Sequence, residues 1–345
     1  MRPFQPRQSL VTGRSAIPLP GPGQRSRFVR VHVVAGRVVA DAALGSETAA
    51  HLTRWVLDRD KAVRELAPLS GDSGLNTGRV DAWLSAKGLT PPPAVVMGLS
   101  EARAYRQALA AAGHQIGLLD KMADWDGRHI AGVHVREAGL VLSYRAHGMD
   151  EWTQAHLVHE KAHGCELPRE FTARVTAGGG WELQLPRSGY NVRPPGGPET
   201  GAWVEEGWAA MLSAEYARDV LHGAGLWPAG RTLPADLAAL PAGHAWESPD
   251  GPAPVCSITA FAGAGLEMLV TARPDLYDAL VRARAQPAGL RDTARIINSV
   301  QPGLYQRLRR HEYSDEGLRA GLDDVRAALP RVFTVRLGPS ATDPP

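Results

Sequence analysis

Two short runs of β-branched residues open the ordered pattern of the chain. Phe28–Val34 and Arg37–Ala40 are separated by Ala-Gly, and this pattern predicts a β-hairpin. Residues 46–66 then follow a helical pattern, which Ser46 can cap and whose positive end suits the next residue, a glutamate. Residues 80–86 predict a second, shorter helix.

Helical periodicity dominates the rest of the chain. Helices are predicted at 100–112 with a continuation to 125, at 151–164 after Asp150 as N-cap, at 200–221, and across 259–329 with breaks at three prolines, Pro274, Pro287 and Pro302. Short strands are predicted at 130–135 and 140–144. Residues 176–200 and most of 222–255 are predicted to be loops, because glycine and proline are frequent there. The fold class is therefore α+β, mostly helical, with a small mixed sheet and a C-terminal helical subdomain.

The run Thr90-Pro91-Pro92-Pro93 predicts the main internal boundary, since neither a helix nor a central strand continues through it. We expect a disordered basic tail at 1–27, an α+β module of unknown role at 28–95, a core with C-terminal helices at 96–336 and a second tail at 337–345. The first tail is rich in arginine, proline and glycine, and it lacks the continuous apolar segment of a secretion signal.

Composition narrows the classes of partner. The chain has 345 residues, 44% of them hydrophobic and 21% charged, which is typical of globular proteins. The 38 basic and 36 acidic residues nearly cancel, so the charge gives no reason to expect a nucleic-acid or anionic-membrane partner. No apolar run is long enough to predict a membrane span. With only two cysteines, the simplest expectation is a cytoplasmic protein with reduced thiols.

The segment AHLVHEKAHG contains His159, Glu160 and His163 in the spacing H-E-x-x-H. On a helix the two histidines lie one turn apart on one face, with their β-carbons roughly 6 Å apart. Two imidazoles in that arrangement can bind one tetrahedral zinc ion. Glu160 lies about 100° around the helix from the first histidine. It can therefore stand beside the ion and accept a proton from water without binding the metal itself.

A zinc ion with two histidine ligands needs a third protein ligand and an open position for water. Glu206 lies in the apolar segment GAWVEEGWAAM, where an unpaired carboxylate would be costly to bury. Its neighbour Glu205 satisfies the same argument, and helical periodicity does not choose between them. Glu215 is a further candidate ligand, although a position on the helix surface is the simpler expectation for this residue. Gly207, which has no side chain, is predicted to let this helix pack close to the H-E-x-x-H helix.

Several neighbouring residues have simpler interpretations than metal binding. His156 shares the face of the two histidines, and a packing or surface role is expected for it. Cys165 is expected to be a small buried thiol. Lys161 is expected to be solvated. The later pair His311-Glu312 lacks a second histidine at the required spacing, since position 315 is Asp, so no metal helix is predicted there.

The H-E-x-x-H motif followed by W-x-x-E-G-x-A at Trp203–Ala209 resembles the gluzincin zinc peptidases, which include thermolysin and the zinc aminopeptidases. The resemblance covers about 90 residues, from 130 to 221, and the gap between the two motifs is longer here than in those enzymes. It implies Zn²⁺ as cofactor, His159, His163 and Glu206 as ligands, and Glu160 as general base. It also implies that residues 132–144 supply the edge strand beside the zinc helix.

The expected function is therefore that of a zinc-dependent hydrolase that cleaves a peptide bond in a peptide or protein substrate. Tyr277, Tyr305 and His244 are available as oxyanion stabilisers, residues 140–144 could align an extended peptide, and the loop at 176–200 could form one wall of the cleft. Two alternatives stay open, a catalytically silent zinc-binding scaffold or regulatory domain and a metal-free helical interaction protein. The sequence predicts no oligomeric state.

Overall fold

The computed structural model describes residues 11–14, 28–34, 37–40, 77–97, 107, 132–135, 140–144, 150–165, 169–175, 180–192, 199–222, 247–248, 251–252, 259–285 and 287–329. The predicted helix at 46–66, nearly all of the one at 100–125, the tail at 337–345, and His244 lie outside the described residues.

Helices make up most of the described chain, which confirms the mostly helical class. The α-helices in this part of the chain are α1 (Thr77–Ala86), α2 (Asp150–Gly164), α3 (Ala202–Tyr216), α4 (Thr259–Ala272), α5 (Asp275–Ala285), α6 (Pro287–Val300), α7 (Leu304–Arg310) and α8 (Asp315–Ala328). A π-helical turn, Ala217–His222, continues α3.

The three prolines that predicted breaks in the C-terminal half lie between or at the ends of helices. Pro274 falls between α4 and α5, Pro302 falls between α6 and α7, and Pro287 is the first residue of α6, where its missing N–H costs nothing. A further break precedes α8. There Ser314 caps the helix by accepting a hydrogen bond from the N–H of Gly317.

The strands of the larger sheet are β1 (Val11–Arg14), β2 (Phe28–Val34), β3 (Arg37–Ala40), β7 (Arg169–Val175), β8 (Gly180–Ser188) and β9 (Asn191–Val192). The sheet is antiparallel, in the order β1-β8-β7-β2-β3, with β9 paired to β8. The hairpin predicted from the first two β-branched runs is present with the predicted bounds, as β2 and β3.

Two of these strands correct the predicted loop at 176–200, which holds β8 and β9. The sequence from Trp181 to Leu185 alternates apolar and polar residues, a strand pattern that the surrounding glycines and prolines obscured. β8 pairs with β7 on one side, so this part of the segment is a regular strand rather than the irregular loop that was predicted as a wall of the cleft. β1, which lies in the predicted tail at 1–27, pairs with β8 on its other side.

A second group of strands lies next to α2 in the chain. β4 (Ala94–Met97) pairs in parallel with β6 (Leu140–Tyr144), and β5 (Gly132–Val135) pairs with the other side of β6 in the antiparallel sense. β10 (Glu247–Ser248) and β11 (Gly251–Pro252) form a two-stranded ladder in the segment that was predicted to be mostly loop. β5 is thus at one end of the order β4-β6-β5.

The apolar core is built around α3, whose sequence is apolar on every side. All of its residues except Glu215 are buried. Ser213 on α3 donates a hydrogen bond of 2.7 Å to the carbonyl of Ala155 on α2. Val80 and Leu84 of α1 belong to the same core. β2, from the predicted module at 28–95, also pairs with β7, from the predicted core at 96–336.

The close packing predicted for Gly207 is directed at a different helix. A β-carbon at this position would lie 2.8 Å from the carbonyl oxygen of Ala262, which belongs to α4 rather than to the H-E-x-x-H helix α2. Gly263 of α4 faces Ala210 of α3 in the same way. The glycines therefore let α3 and α4 cross at short range. None of the described helices combines the length and apolar character needed to cross a bilayer.

Candidate metal centre

Three donor atoms converge between α2 and α3. The Nε2 atoms of His159 and His163 lie 3.2 Å apart. Each also lies 3.3 Å from the Oε2 atom of Glu206. These three residues form a group that could hold a metal ion in the described part of the chain. The structure thus brings together the two histidines of the motif and the distant glutamate that the sequence pointed to.

The size of this triangle suits a small tetrahedral ion. Ligands that surround zinc tetrahedrally at its usual bond lengths of about 2.0–2.1 Å lie about 3.3–3.4 Å from one another. The observed edges of 3.2, 3.3 and 3.3 Å match that spacing closely. Two imidazole nitrogens and one carboxylate oxygen are also a donor set that zinc accepts in catalytic sites. The residues present therefore fit a zinc ion.

The charge distribution of the cluster is compatible with a bound cation. Burial alone lowers the pKa of His163, but the charges of Glu206 and Glu205 and its hydrogen bonds to them raise it to about 10. Burial raises the pKa of Glu206, and the neighbouring His163 and His159 outweigh burial and hold it well below its usual range. The buried carboxylates thus favour positive charge between them, which a metal ion can supply in place of a proton.

Glu160 follows His159 on α2, and helical geometry predicts that its side chain stands beside the two histidines. Its Oε2 atom accepts a hydrogen bond of 2.8 Å from the backbone N–H of His134 on β5. Glu160 is not part of the three-atom group, so its carboxylate is not needed as a metal ligand. A backbone donor orients this carboxylate, and a carboxylate held beside a metal is placed to accept and return a proton.

Glu205, the alternative third ligand, points to the far side of His163. Its Oε1 atom lies 3.1 Å from Nδ1 of His163. Its two oxygens also accept hydrogen bonds of 3.0 and 3.1 Å from Arg284 on α5. The backbone N–H of Tyr190 completes the set at 2.9 Å. Burial raises the pKa of Glu205, but the charge of Arg284 and the contact with His163 lower it to about 2.

The other candidate residues have partners elsewhere. Glu215 pairs with Lys87 and lies 3.5 Å from the hydroxyl of Tyr277. Because Glu215 is nine residues beyond Glu206 on the same helix, it stands roughly 13 Å further along the axis. The contact of Tyr277 with Glu215 therefore lies away from the group of His159, His163 and Glu206. Tyr305 lies on α7, where its ring stacks near the guanidinium of Arg309.

Residues near the motif follow the simple expectations, with one correction. Burial raises the pKa of the Cys165 thiol to about 12, as expected of a buried thiol. Burial and then the charge of His159 lower the pKa of His156 to about 3, so it packs as a neutral ring. His311, which follows α7, pairs with Asp324 of α8 at 2.9 Å. Lys161 is not solvated, since only 1% of its side chain is exposed.

Lys161 is buried because it joins three elements. Its ammonium group donates to the Oδ1 atom of Asp81 on α1 at 2.5 Å and to the carbonyl of Pro92 at 2.7 Å. A buried ammonium needs such partners to offset its lost hydration. The motif helix is thereby tied to the segment that precedes it, and local sequence could not reveal this because both partners lie more than sixty residues away.

Sequence reasoning missed Arg284, although a signal was present. On α5, Leu276, Leu280 and Arg284 fall at successive helical turns, and all three are buried. A cation on an otherwise apolar stripe requires a buried anionic partner. Tyr190 left no such signal, because it contributes its backbone N–H from the turn between β8 and β9.

Comparison with known proteins gives no relative from which a role could be transferred. No family model, no curated protein and no solved structure matches the chain.

Proposed function

We propose that the protein is a zinc-dependent hydrolase that cleaves peptide bonds, in the manner of the gluzincin peptidases that its two motifs resemble. The observation that carries this proposal is the triangle formed by Nε2 of His159, Nε2 of His163 and Oε2 of Glu206, whose edges measure 3.2–3.3 Å. A zinc ion bound there would lower the pKa of water to about 7 and polarise a carbonyl group.

Glu160 is the general base of this proposal. It accepts the proton of the attacking water and returns it to the leaving amine, and its hydrogen bond to the N–H of His134 keeps the carboxylate in one orientation. His159, His163 and Glu206 hold the ion, and their side chains each keep 11% of their surface exposed. This exposure supports a site that solvent and substrate reach, whereas Glu205 has only 2% exposed.

We further propose that β5 is the edge strand of a small mixed sheet beside the metal helix. Two observations support this: β5 is at the end of the order β4-β6-β5, and its residue His134 contacts Glu160. An edge strand can pair its backbone groups with an extended peptide. A peptide or protein is therefore the proposed substrate class.

The test combines metal analysis with hydrolysis of a broad peptide library. The purified protein is expected to hold close to one zinc per chain and to cleave library peptides, with activity lost on chelation and restored by zinc. Glu160→Gln is expected to keep the metal and lose hydrolysis, by at least about 10²-fold. The matched control is Glu215→Gln, a glutamate of α3 that pairs with Lys87 away from the cluster.

Each other result has a definite meaning. Stoichiometric zinc with no cleavage of any peptide would indicate a zinc-binding scaffold or regulatory domain. Absence of zinc would leave a metal-free interaction protein. Full activity in Glu160→Gln would remove Glu160 from the mechanism.

A further inference from the structure

We propose that the buried ion pair of Glu205 and Arg284 is a positioning device for the metal centre, which holds His163 with its proton on Nδ1 and its Nε2 lone pair toward the ion. This inference rests on the proposed function, and it assigns a role to two residues that neither bind the metal nor touch the substrate. Glu205 and Arg284 are therefore positioning residues, not catalytic ones.

The two nitrogens of His163 face different partners. Nε2 lies within 3.2–3.3 Å of the other two donor atoms of the cluster. Nδ1 lies 3.1 Å from Oε1 of Glu205, whose two oxygens already accept hydrogen bonds from Arg284 and from the N–H of Tyr190, so this carboxylate is an acceptor toward His163 as well. When a metal ion takes the place of the proton on Nε2, the one proton that the ring keeps is therefore on Nδ1. Carboxylates that hold metal-binding histidines in this way also strengthen the histidine as a ligand.

Glu205 has no freedom to serve as a ligand itself. Its two oxygens accept from Nδ1 of His163, from the N–H of Tyr190 and from two nitrogens of Arg284. The turn between β8 and β9 leaves space for this carboxylate at Gly189, where a β-carbon would lie 2.1 Å from Oε2. Gly189 also has a φ of 64°, which other residues rarely adopt. The surrounding structure is thus shaped around the carboxylate.

Arg284 offsets the negative charge of Glu205, which would otherwise add to that of its neighbour Glu206. Its side chain is 2% exposed and neutralises Glu205 through two hydrogen bonds, one from each terminal nitrogen to each carboxylate oxygen. The rings of Tyr190 and Trp208 both lie 5.5 Å from its central carbon, so aromatic faces as well as the carboxylate stabilise the cation. The site then keeps one net negative ligand, Glu206, for the ion.

The pair also connects distant parts of the fold. Arg284 comes from α5 in the C-terminal helices, Glu205 from α3, and the N–H of Tyr190 from the hairpin formed by β8 and β9. The three elements meet on the Nδ1 side of the His163 ring. The orientation of His163 therefore depends on the docking of the C-terminal helices, which explains why these helices belong to the proposed catalytic unit.

The experiment removes both charges together, because the loss of one alone would leave the other buried without a partner. Zinc affinity is measured by competition with a chromophoric chelator, and site geometry by the visible absorption of the Co²⁺-loaded protein. Glu205→Leu with Arg284→Met removes the acceptor of the His163 proton and is expected to weaken zinc binding about 10- to 100-fold. Glu205→Gln with Arg284→Met keeps an acceptor oxygen and is expected to stay within about 5-fold of the wild type.

The matched control removes another arginine–glutamate pair. Arg218 and Glu267 lie 2.8 Å apart at the surface, and Arg218→Met with Glu267→Leu is expected to leave zinc affinity and the cobalt spectrum unchanged. A purely structural role for the buried pair would weaken binding equally in its Leu and Gln variants. Equal zinc affinity in the wild type and the Leu variant, or an equal loss in both variants, overturns the inference while the proposed function stands. A wild type that binds no zinc overturns both.

One measurement needs no variant and decides the matter if the Leu variant does not fold. In the imidazole ¹⁵N–¹H spectrum of the zinc-loaded wild type, His163 is expected to carry its proton on Nδ1, protected from exchange by Glu205. A His163 ring that binds zinc through Nδ1, or that lacks the Nδ1 proton, overturns the inference.

Discussion

The carboxylate of Glu160 accepts a 2.8 Å hydrogen bond from the backbone N–H of His134, which joins the H-E-x-x-H helix to a strand 26 residues earlier. A side chain that is held by a backbone donor keeps its orientation whatever the identity of the donor residue. This contact also shows that the outward-facing N–H of His134 is used by the helix rather than by the neighbouring strand β6. A pair of substitutions at His134 can therefore test the role of this N–H donor.

His134→Pro removes this N–H, and His134→Ala keeps it while also removing the imidazole. Proline is tolerated at a strand edge where the N–H does not join the ladder. A hydrogen bond to a charged group contributes about 1.5–3 kcal/mol, so we expect kcat of the Pro variant to fall about 10-fold or more below that of the Ala variant. Peptide hydrolysis at saturating substrate measures the difference, with equal zinc content as the control. Equal kcat values in the two variants would show that the contact does not orient Glu160.

Lys161→Met is expected to destabilise the protein through the carbonyl that it leaves behind. The carbonyl of Pro92 loses its donor in a buried position, at a cost of about 1–3 kcal/mol. Asp81→Asn is the matched comparison and should cost less, since the asparagine oxygen still accepts a hydrogen bond from Lys161 and the lost charge belongs to a side chain that is 42% exposed. Urea denaturation of the zinc-free proteins measures both changes in the free energy of unfolding. A larger loss for Asp81→Asn would contradict this ranking.

Gly207→Ala tests the close crossing of α3 and α4. The added β-carbon would lie 2.8 Å from the backbone oxygen of Ala262, and a backbone atom cannot move aside as a side chain can. Overpacking of this kind costs about 1–3 kcal/mol. Helix propensity alone predicts the opposite sign, a gain of about 1 kcal/mol. Chemical denaturation therefore distinguishes the two effects by sign, and a more stable variant would show that the helices can separate at no cost.

The parts of the site that follow from local helix geometry could be predicted from the sequence. His159 and His163 are one turn apart on any helix, and the position of Glu160 beside them follows from the same geometry. Helical periodicity could not choose between Glu205 and Glu206, because both lie among apolar residues on one helix, and only the motif resemblance favoured Glu206. What separates them is the location of Arg284 and of the Tyr190 N–H, and both are set by tertiary packing.

The fold shows the same division. The breaks between the C-terminal helices are marked by prolines, and the hairpin β2–β3 is marked by β-branched runs, so both were predictable. β8 was missed because its alternation is embedded among glycines and prolines and its partners, β7 and β1, lie on either side in space. The missed strand matters for the candidate site, since the turn after β8 places the N–H of Tyr190 that donates to Glu205.

Zinc is expected to raise the stability of the folded protein, because the three ligands converge only when α2 and α3 are packed together. A ligand that binds only the folded state at 100 times its Kd adds about 2.7 kcal/mol to the free energy of unfolding. Thermal denaturation with excess zinc should therefore give a higher Tm than denaturation with a chelator. His159→Ala with Glu206→Ala removes two of the three donors and should abolish the difference, whereas Arg218→Met, remote from the cluster, should preserve it. An equal zinc-induced shift in the doubly substituted protein would show that the stabilising ion binds elsewhere, and the triangle of His159, His163 and Glu206 would lose its assignment as the metal centre.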